Sequence, residues 1–258
     1  MAWVTDFTSN RIKNLFIYSL LISLTLGCKK PGSFDCLKSN GPETTQTRDP
    51  GFFNRIEVKD KIDVIVVKGS EFKTEVSAGK HIIDKIYTGI ENRVLKIENR
   101  NKCNVVRGYK KNVTVKITLP HLFELTHNSV SDVHFDGDFN QDSIIIKVLS
   151  SGNVYLNGSF DVINTESNGN GDLYLSGSTK YLSSYTRGTN YIHAENLIIS
   201  EYADVASVCI GDVYLNGSAL KKLKYYIGKS GNIYYSGNIR EISGVTESDA
   251  TGQIIHKN

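Results

Sequence analysis

Four tyrosines recur at a nearly constant spacing in the second half of this 258-residue chain, and they are 19, 40 and 20 residues apart. The four are Tyr155, Tyr174, Tyr214 and Tyr234. Aromatic side chains repeated along one surface can stack on sugar rings or form the centre of a protein contact. Such a row can also be purely structural, because cross-strand neighbours contribute roughly 0.2–1 kcal/mol per pair.

A second column of residues stands two positions before the tyrosines and alternates acids with amides. Its predicted members are Asp132, Asn153, Asp172, Asn190, Asp212, Asn232 and Gln253. Two of the acids could in principle form a glycosidase pair, but acids two repeats apart would be separated by about 10 Å, slightly too far for an inverting enzyme. An amide between two stacked carboxylates relieves their repulsion, which favours a structural role.

Each tyrosine lies in a short phrase that is bounded by glycines. Residues Gly152 to Gly158 read Gly-Asn-Val-Tyr-Leu-Asn-Gly, and near copies begin at Gly171, Gly211 and Gly231. The phrase alternates with period 2, so the tyrosine and its two apolar neighbours point to opposite faces of a strand. We take residues 189–195 as a degenerate copy, which predicts that Tyr191 and His193 point inward.

A repeat of about 20 residues with one strand-like phrase is typical of a solenoid. A second apolar segment precedes most phrases, so each repeat is predicted to form one coil of an all-β, single-domain parallel β-helix over residues 51–258. The predicted inward pairs are Val133/Phe135, Val154/Leu156, Leu173/Leu175, Val213/Leu215 and Ile233/Tyr235. The predicted outward column is His134, Tyr155, Tyr174, Ile192, Tyr214, Tyr234 and Ile255.

The N-terminal segment has the pattern of an export signal. Arg11 and Lys13 precede a 12-residue apolar run that is short for a transmembrane helix. The run ends at Gly27-Cys28, which resembles the lipobox of bacterial lipoproteins and implies lipidation of Cys28. An ordinary signal peptide with an incidental Cys28 is the alternative.

These features predict a lipoprotein signal peptide over residues 1–27 and a flexible, polar tether over residues 28–50. The expected location is the bacterial cell envelope, periplasm or outer membrane, with the membrane as a partner through the lipid anchor.

Composition and motifs argue against several functional classes. A net charge of +3 does not favour nucleic acid as a partner. The four cysteines lack metal-ligand spacing, and no nucleotide-binding or nucleophile motif is present in the sequence. We therefore predict no cofactor, no metal and no catalytic residue.

Several segments in order resemble the GIN-domain family, also called auto-transporter adhesin head domains. They are Phe53 to Val58, Ile62 to Val66, Val113 to Pro120 and the repeated Ser-Gly-Asn/Asp phrases. The resemblance covers roughly residues 51–258 and implies a β-helix on an exported, envelope-associated protein. It implies no catalytic residues.

The sequence leaves three functional hypotheses open. The first is a lipid-anchored, non-catalytic β-helix that binds a glycan or a protein through Tyr155, Tyr174, Tyr214 and Tyr234. The second is a carbohydrate-active enzyme, a glycosidase or lyase, which rests on analogy with other β-helices. The third is an envelope scaffold without a small ligand. A concave site with converging charged groups would favour the enzyme, and a flat aromatic face would favour binding.

Overall fold

The computed structural model describes residues 39–102 and 113–257, and within them the chain forms 18 β-strands. The strands are β1 (Glu43–Arg48), β2 (Arg55–Asp60), β3 (Asp63–Lys68), β4 (Lys73–Gly79), β5 (Ile86–Glu91), β6 (Val94–Asn99), β7 (Thr114–Leu119), β8 (Glu124–Ser129), β9 (Val133–Asp136), β10 (Gln141–Val148), β11 (Val154–Ser167), β12 (Leu173–Gly188), β13 (Ile192–Cys209), β14 (Val213–Asn216), β15 (Lys222–Ile227), β16 (Ile233–Ser236), β17 (Glu241–Thr246) and β18 (Ile254–His256). One 3₁₀ turn, Ile83–Lys85, precedes β5.

All described strands except β1, β4 and β5 form two stacks of parallel strands, which we call the front and back stacks. The front stack runs in the order β7, β3, β9, the first parts of β11, β12 and β13, then β14, β16 and β18. The back stack runs in the order β6, β2, β8, β10, the second parts of β11, β12 and β13, then β15 and β17. The predicted parallel β-helix with coils of about 20 residues is therefore confirmed.

The order of the first coils differs from their order in the sequence. Strand β2 pairs with β6 on one side and with β8 on the other, and β3 lies in the same way between β7 and β9. The first coil, formed by β2 and β3, therefore lies one coil inside the end of the helix, the next coil (β6 and β7) forms that end, and β8 and β9 pair with the other side of the first coil. From β8 onward, successive coils follow the sequence.

Antiparallel strands cover the end of the helix where β6 and β7 lie. Strand β4 pairs with β7 and β1 pairs with β4, while β5 pairs with β6. The predicted flexible tether over residues 28–50 is wrong for β1, because this strand is hydrogen-bonded along its whole length to β4. Arg48 also donates a hydrogen bond of 3.0 Å to the carbonyl of Ile83. Residues 28–38 lie outside the described residues.

The interior of the helix is filled by the predicted inward columns. Val154 and Leu156, like their counterparts in the neighbouring coils, are almost completely buried, and Tyr235 packs partly buried against the core. Glycine opens each phrase because the coils approach closely there. A Cβ atom added to Gly171 would clash with the carbonyl oxygen of Gly152 in the coil before it.

The degenerate coil has a register one residue different from the prediction. Ile192 pairs with Leu173 and is buried, whereas His193 pairs with Tyr174 and points outward. The inward placement of Tyr191 and His193 and the outward placement of Ile192 are therefore wrong. A slip of one residue exchanges the two faces of a strand, so one misplaced position reversed the whole phrase.

A row of stacked aromatic rings as the candidate binding face

The register of the front stack aligns one aromatic side chain from each of six successive coils. Tyr155 pairs with His134 and Tyr174, and Tyr214 pairs with His193 and Tyr234. We call these six rings the aromatic row: His134, Tyr155, Tyr174, His193, Tyr214 and Tyr234. The four predicted tyrosines are thus brought together, and His193 occupies the place that the sequence left to Ile192.

The rings of the aromatic row are stacked nearly parallel to one another. Centroid distances are 4.4 Å for His134–Tyr155, 4.6 Å for Tyr155–Tyr174, 4.5 Å for Tyr174–His193, 5.5 Å for His193–Tyr214 and 5.2 Å for Tyr214–Tyr234. No two neighbouring planes differ by more than 11°. The row spans five coil-to-coil steps of about 4.8 Å each, the normal spacing of paired strands.

This stacking determines which part of each ring a ligand can reach. Both faces of Tyr155, Tyr174, His193 and Tyr214 are covered by the neighbouring rings. What remains accessible is a strip of ring edges, where the aromatic quadrupole is positive, together with the polar groups of the rings. The interior rings are therefore not open platforms on which a sugar ring could stack.

The acid and amide column flanks the aromatic row on one side and ties the coils together. The side-chain oxygen of one coil accepts a hydrogen bond from the backbone N–H of the next. The bonds are Asp132 to Asn153 (2.8 Å), Asn153 to Asp172 (2.9 Å), Asp172 to Tyr191 (2.8 Å), Asp212 to Asn232 (2.8 Å) and Asn232 to Gln253 (3.0 Å). Tyr191 takes the place predicted for Asn190, which is buried instead.

These acids are therefore engaged in structural bonds, and an amide or Tyr191 separates each acid of the column from the next. Asp132, Asp172 and Asp212 each accept a hydrogen bond from the backbone N–H of the next coil. The predicted structural role is the one their contacts indicate. Elsewhere in the described ranges, 39–102 and 113–257, no three histidine, cysteine or acidic side chains lie close enough to hold a metal ion.

The tyrosine hydroxyl groups lie close to this column. Asn232 Nδ2 lies 3.3 Å from the Tyr234 hydroxyl, and the Tyr214 hydroxyl donates to Asp212 over the same distance. Burial, and then the neighbouring Asp212 carboxylate, raises the pKa of Tyr214; burial and Asp172 do the same for Tyr174. Both hydroxyls therefore stay protonated at neutral pH and can donate hydrogen bonds.

Polar residues also flank the other side of the row. Asn157 pairs with Ser176, whose hydroxyl lies 3.0 Å from the Asn157 side-chain oxygen. A shallow depression of about 180 Å³ lies beside these residues and is lined by Tyr155, Tyr174 and His193. At the end of the row, Lys257 Nζ lies 4.0 Å from the centroid of Tyr234. The face thus combines an apolar centre with polar borders.

Cys28, the predicted lipidation site, lies outside the described residues. No helix among residues 39–102 and 113–257 has the length and apolar character that a membrane crossing requires.

Comparison with solved structures shows the same fold in several bacterial proteins. A "putative adhesin" from Bacteroides fragilis is 22% identical to this protein, with a TM-score of 0.75. The superposition includes 84% of this chain and 97% of the Bacteroides fragilis chain. A "putative adhesin" and a "putative lipid binding protein" from Parabacteroides distasonis are 18% and 17% identical, with TM-scores of 0.62 and 0.61. Each superposition includes 84% of this chain and 98% of the Parabacteroides distasonis chain.

A search of curated protein sequences finds no match to the chain. A family model, described as "putative auto-transporter adhesin, head GIN domain", matches residues 52–238, which is most of the chain. The matched region contains β2 through β16 and the whole aromatic row. The chain therefore belongs to the GIN-domain family.

Proposed function

We propose that this chain is an exported, lipid-anchored protein with a non-catalytic, adhesin-like role, and that the aromatic row is its protein-binding face. The family description and the names of the structural relatives support an adhesin-like role in an exported or cell-surface protein. The same descriptions favour a non-catalytic role. The lipid anchor at Cys28 rests on the sequence of the leader alone.

The observation that carries this proposal is the strip of stacked ring edges with polar rows on both sides. Tyrosine is enriched at the centres of protein interfaces, where an apolar core is surrounded by a polar rim. The stacked rings are held in place by their neighbours, so binding would immobilise few additional side-chain torsions. The small depression beside Tyr155 and Tyr174 offers room for a partner side chain.

The same geometry favours a protein over a glycan as the ligand of this face. A sugar ring gains most from an aromatic side chain when it packs on the open ring face, and the neighbouring rings cover that face on the four interior members of the row. A protein surface can contact ring edges, tyrosine hydroxyls and the flanking amides at once. The row crosses six successive coils, which fits an extended or flat partner segment.

The alternative of a carbohydrate-active enzyme receives less support from the described residues. Glycosidases place two carboxyl groups on opposite sides of a bound sugar, and one of them is usually buried enough for its pKa to rise. Beside the aromatic row, Asp172 and Asp212 instead accept hydrogen bonds from the next coil. No specific observation favours catalysis at this face.

Binding of the purified full-length protein to an array of immobilised host extracellular-matrix proteins and bacterial surface proteins tests the proposal. The informative variant is Tyr155→Ser/Tyr174→Ser, which removes two adjacent rings from the middle of the row. The matched control is Tyr181→Ser/Tyr185→Ser, since these tyrosines are 45% and 40% exposed but lie in the part of β12 that belongs to the back stack.

We expect the row variant to weaken binding by at least about tenfold, because buried interface tyrosines are frequent hot spots. The control variant should bind like the wild-type protein. Absence of wild-type binding to every protein on the array, or equal binding by wild type and row variant, would contradict the proposal.

A further inference from the structure

A second concave site lies on a different part of the surface from the aromatic row. It is a groove of about 520 Å³ at the corner where β11 and β12 pass from the front stack to the back stack. The side chains used in the argument are Asp142, Ser159, Asp161, Ser178, Lys180 and Ile198. None of them belongs to the aromatic row or to the acid and amide column beside it.

The groove exists because short side chains occupy equivalent positions on neighbouring coils. Ser159 pairs with Ser178, and their hydroxyl oxygens are 3.1 Å apart. Gly177 precedes Ser178 with a φ of 100°, a conformation that L-residues with a side chain rarely adopt, so the chain can turn sharply here. The adjacent pair Gly158 and Gly177 has no side chains, and the two serines have short ones, so the surface is low at this corner.

Charged groups form one wall of this trough. Lys180 Nζ lies 2.7 Å from Asp161 Oδ1, and this hydrogen bond raises the pKa of the lysine, so its ammonium group stays charged at neutral pH. Asp142 lies in the coil before Asp161 and is exposed. The charge of Asp142 acts on Lys68 and Lys180, but within residues 39–102 and 113–257 its carboxylate is not engaged in a direct hydrogen bond, so its oxygens can accept one from a ligand.

An apolar side chain continues the row of serines. Ile198 pairs with Ser178 in the next coil and is 49% exposed. The groove therefore offers hydroxyl groups, a carboxylate acceptor, an ammonium donor and one apolar surface within a few coil spacings of about 4.8 Å. A sugar has the matching chemistry, because its hydroxyls donate and accept hydrogen bonds while its C–H groups pack against apolar atoms.

We propose that this groove is a carbohydrate-binding site that takes a short segment of a neutral glycan. Asp142 accepts hydrogen bonds from sugar hydroxyls, and Lys180 donates to sugar oxygens. Ser159 and Ser178 contact the ring substituents, while Ile198 packs against the C–H face. This site is separate from the protein-binding face proposed above, so one molecule can engage a glycan and a protein at the same time.

Saturation-transfer NMR with the full-length protein tests the site. The probes are the methyl glycosides and the β-linked disaccharides of glucose, galactose, mannose and N-acetylglucosamine, at millimolar concentration. One variant, Ser178→Tyr, fills the trough. A second, Asp142→Ala, removes the free acceptor without filling space, and thermal unfolding checks that both variants are folded. Tyr155→Ser/Tyr174→Ser serves as the control on the other face.

We expect at least one probe to bind the wild-type protein and the aromatic-row control equally well. Asp142→Ala should weaken this binding about tenfold, and Ser178→Tyr should abolish it. Absence of binding by every probe overturns the proposal, as does equal binding by wild type and a folded Asp142→Ala. Groove variants that lose binding to a protein on the array, without any sugar binding, would assign the groove to a protein partner and also overturn it.

Discussion

The rings of Tyr155 and Tyr174 lie face to face, with centroids 4.6 Å apart and planes that differ by 9°. They belong to β11 and β12, and their Cα atoms are direct partners in the parallel pairing of these strands. Their apolar neighbours Leu156 and Leu175 are partners in the same way but point into the core. The two tyrosines therefore lie outside the core and the two leucines inside it, so their removal should affect stability differently.

We expect Tyr174→Ala to lower the free energy of unfolding by about 1–2 kcal/mol, because two ring contacts are lost but no interior cavity forms. Leu175→Ala should cost about 2–5 kcal/mol, because it opens a hole in a packed core. Thermal or denaturant unfolding of the two variants measures the difference. If Tyr174→Ala proves as destabilising as Leu175→Ala, the outward surface of the front stack is wrongly assigned.

A second prediction concerns the side-chain bonds between coils. Asp172 Oδ1 accepts a hydrogen bond of 2.8 Å from the backbone N–H of Tyr191, 19 residues later in the chain. Asp172→Ala removes this acceptor and should cost about 1–2 kcal/mol of unfolding free energy. Asp172→Asn keeps an oxygen at the same place and should restore most of the loss. Equal destabilisation by alanine and asparagine would argue against the bond as the cause.

Sequence pattern sufficed to predict the regular coils. Glycine spacing and period-2 alternation correctly placed Val154 and Leu156 inside and Tyr155 outside. The same pattern gave the wrong register for residues 189–195, because this copy lacks the glycine that opens the others. Only the pairing of His193 with Tyr174 shows that His193 points outward. The 19-residue distance between these two residues was the signal that could have corrected the register.

Other features depend on contacts that no local pattern encodes. Strand β1 contains only polar residues, so it carries no apolar alternation, yet it pairs with β4 at an edge where neither face needs to be fully buried. Strand β2 pairs with β6 and β8, which are distant from it in the sequence. Several other strands have a similar apolar alternation, so the sequence pattern does not identify these two as its partners. The sequence predicts that the rings lie in one row, but only the side-chain positions show that they stack and cover one another's faces.

A third prediction concerns pH. His127 is buried, and its Nε2 donates a hydrogen bond of 2.7 Å to the carbonyl of Ser131. Burial lowers the pKa of His127; the bond to Ser131 and the charge of Asp132 oppose this change. A proton added to the ring would sit on Nδ1, which has no hydrogen-bond partner among the described atoms.

In the unfolded chain this histidine titrates near pH 6.5, above its value in the folded protein. The unfolded state therefore takes up the proton first as the pH falls, so the stabilising contribution is complete above about pH 6.5 and decreases below it. We expect the unfolding free energy to fall on acidification from pH 7 to pH 5, and to fall less steeply in His127→Gln. Identical pH profiles for the two proteins would contradict the assignment.

A fourth prediction concerns the membrane anchor. If Cys28 is diacylated, mass spectrometry of the membrane fraction should find a mature chain that begins at this residue and carries the lipid mass. Cys28→Ala should release the protein from the membrane, because at least two acyl chains are needed for stable anchoring. Cleavage at another position, or an unmodified Cys28 in the membrane fraction, would refute the anchor.

Tyrosine footprinting of the full-length protein, bound to the array protein that it binds most tightly, tests the central claim most directly. Hydroxyl-radical labelling read by mass spectrometry compares each tyrosine in the free and bound states. We expect the partner to protect Tyr155, Tyr174, Tyr214 and Tyr234, while Tyr181 and Tyr185 on the back stack are labelled as before. Protection of Tyr181 and Tyr185 with unchanged labelling of the aromatic row would contradict the account.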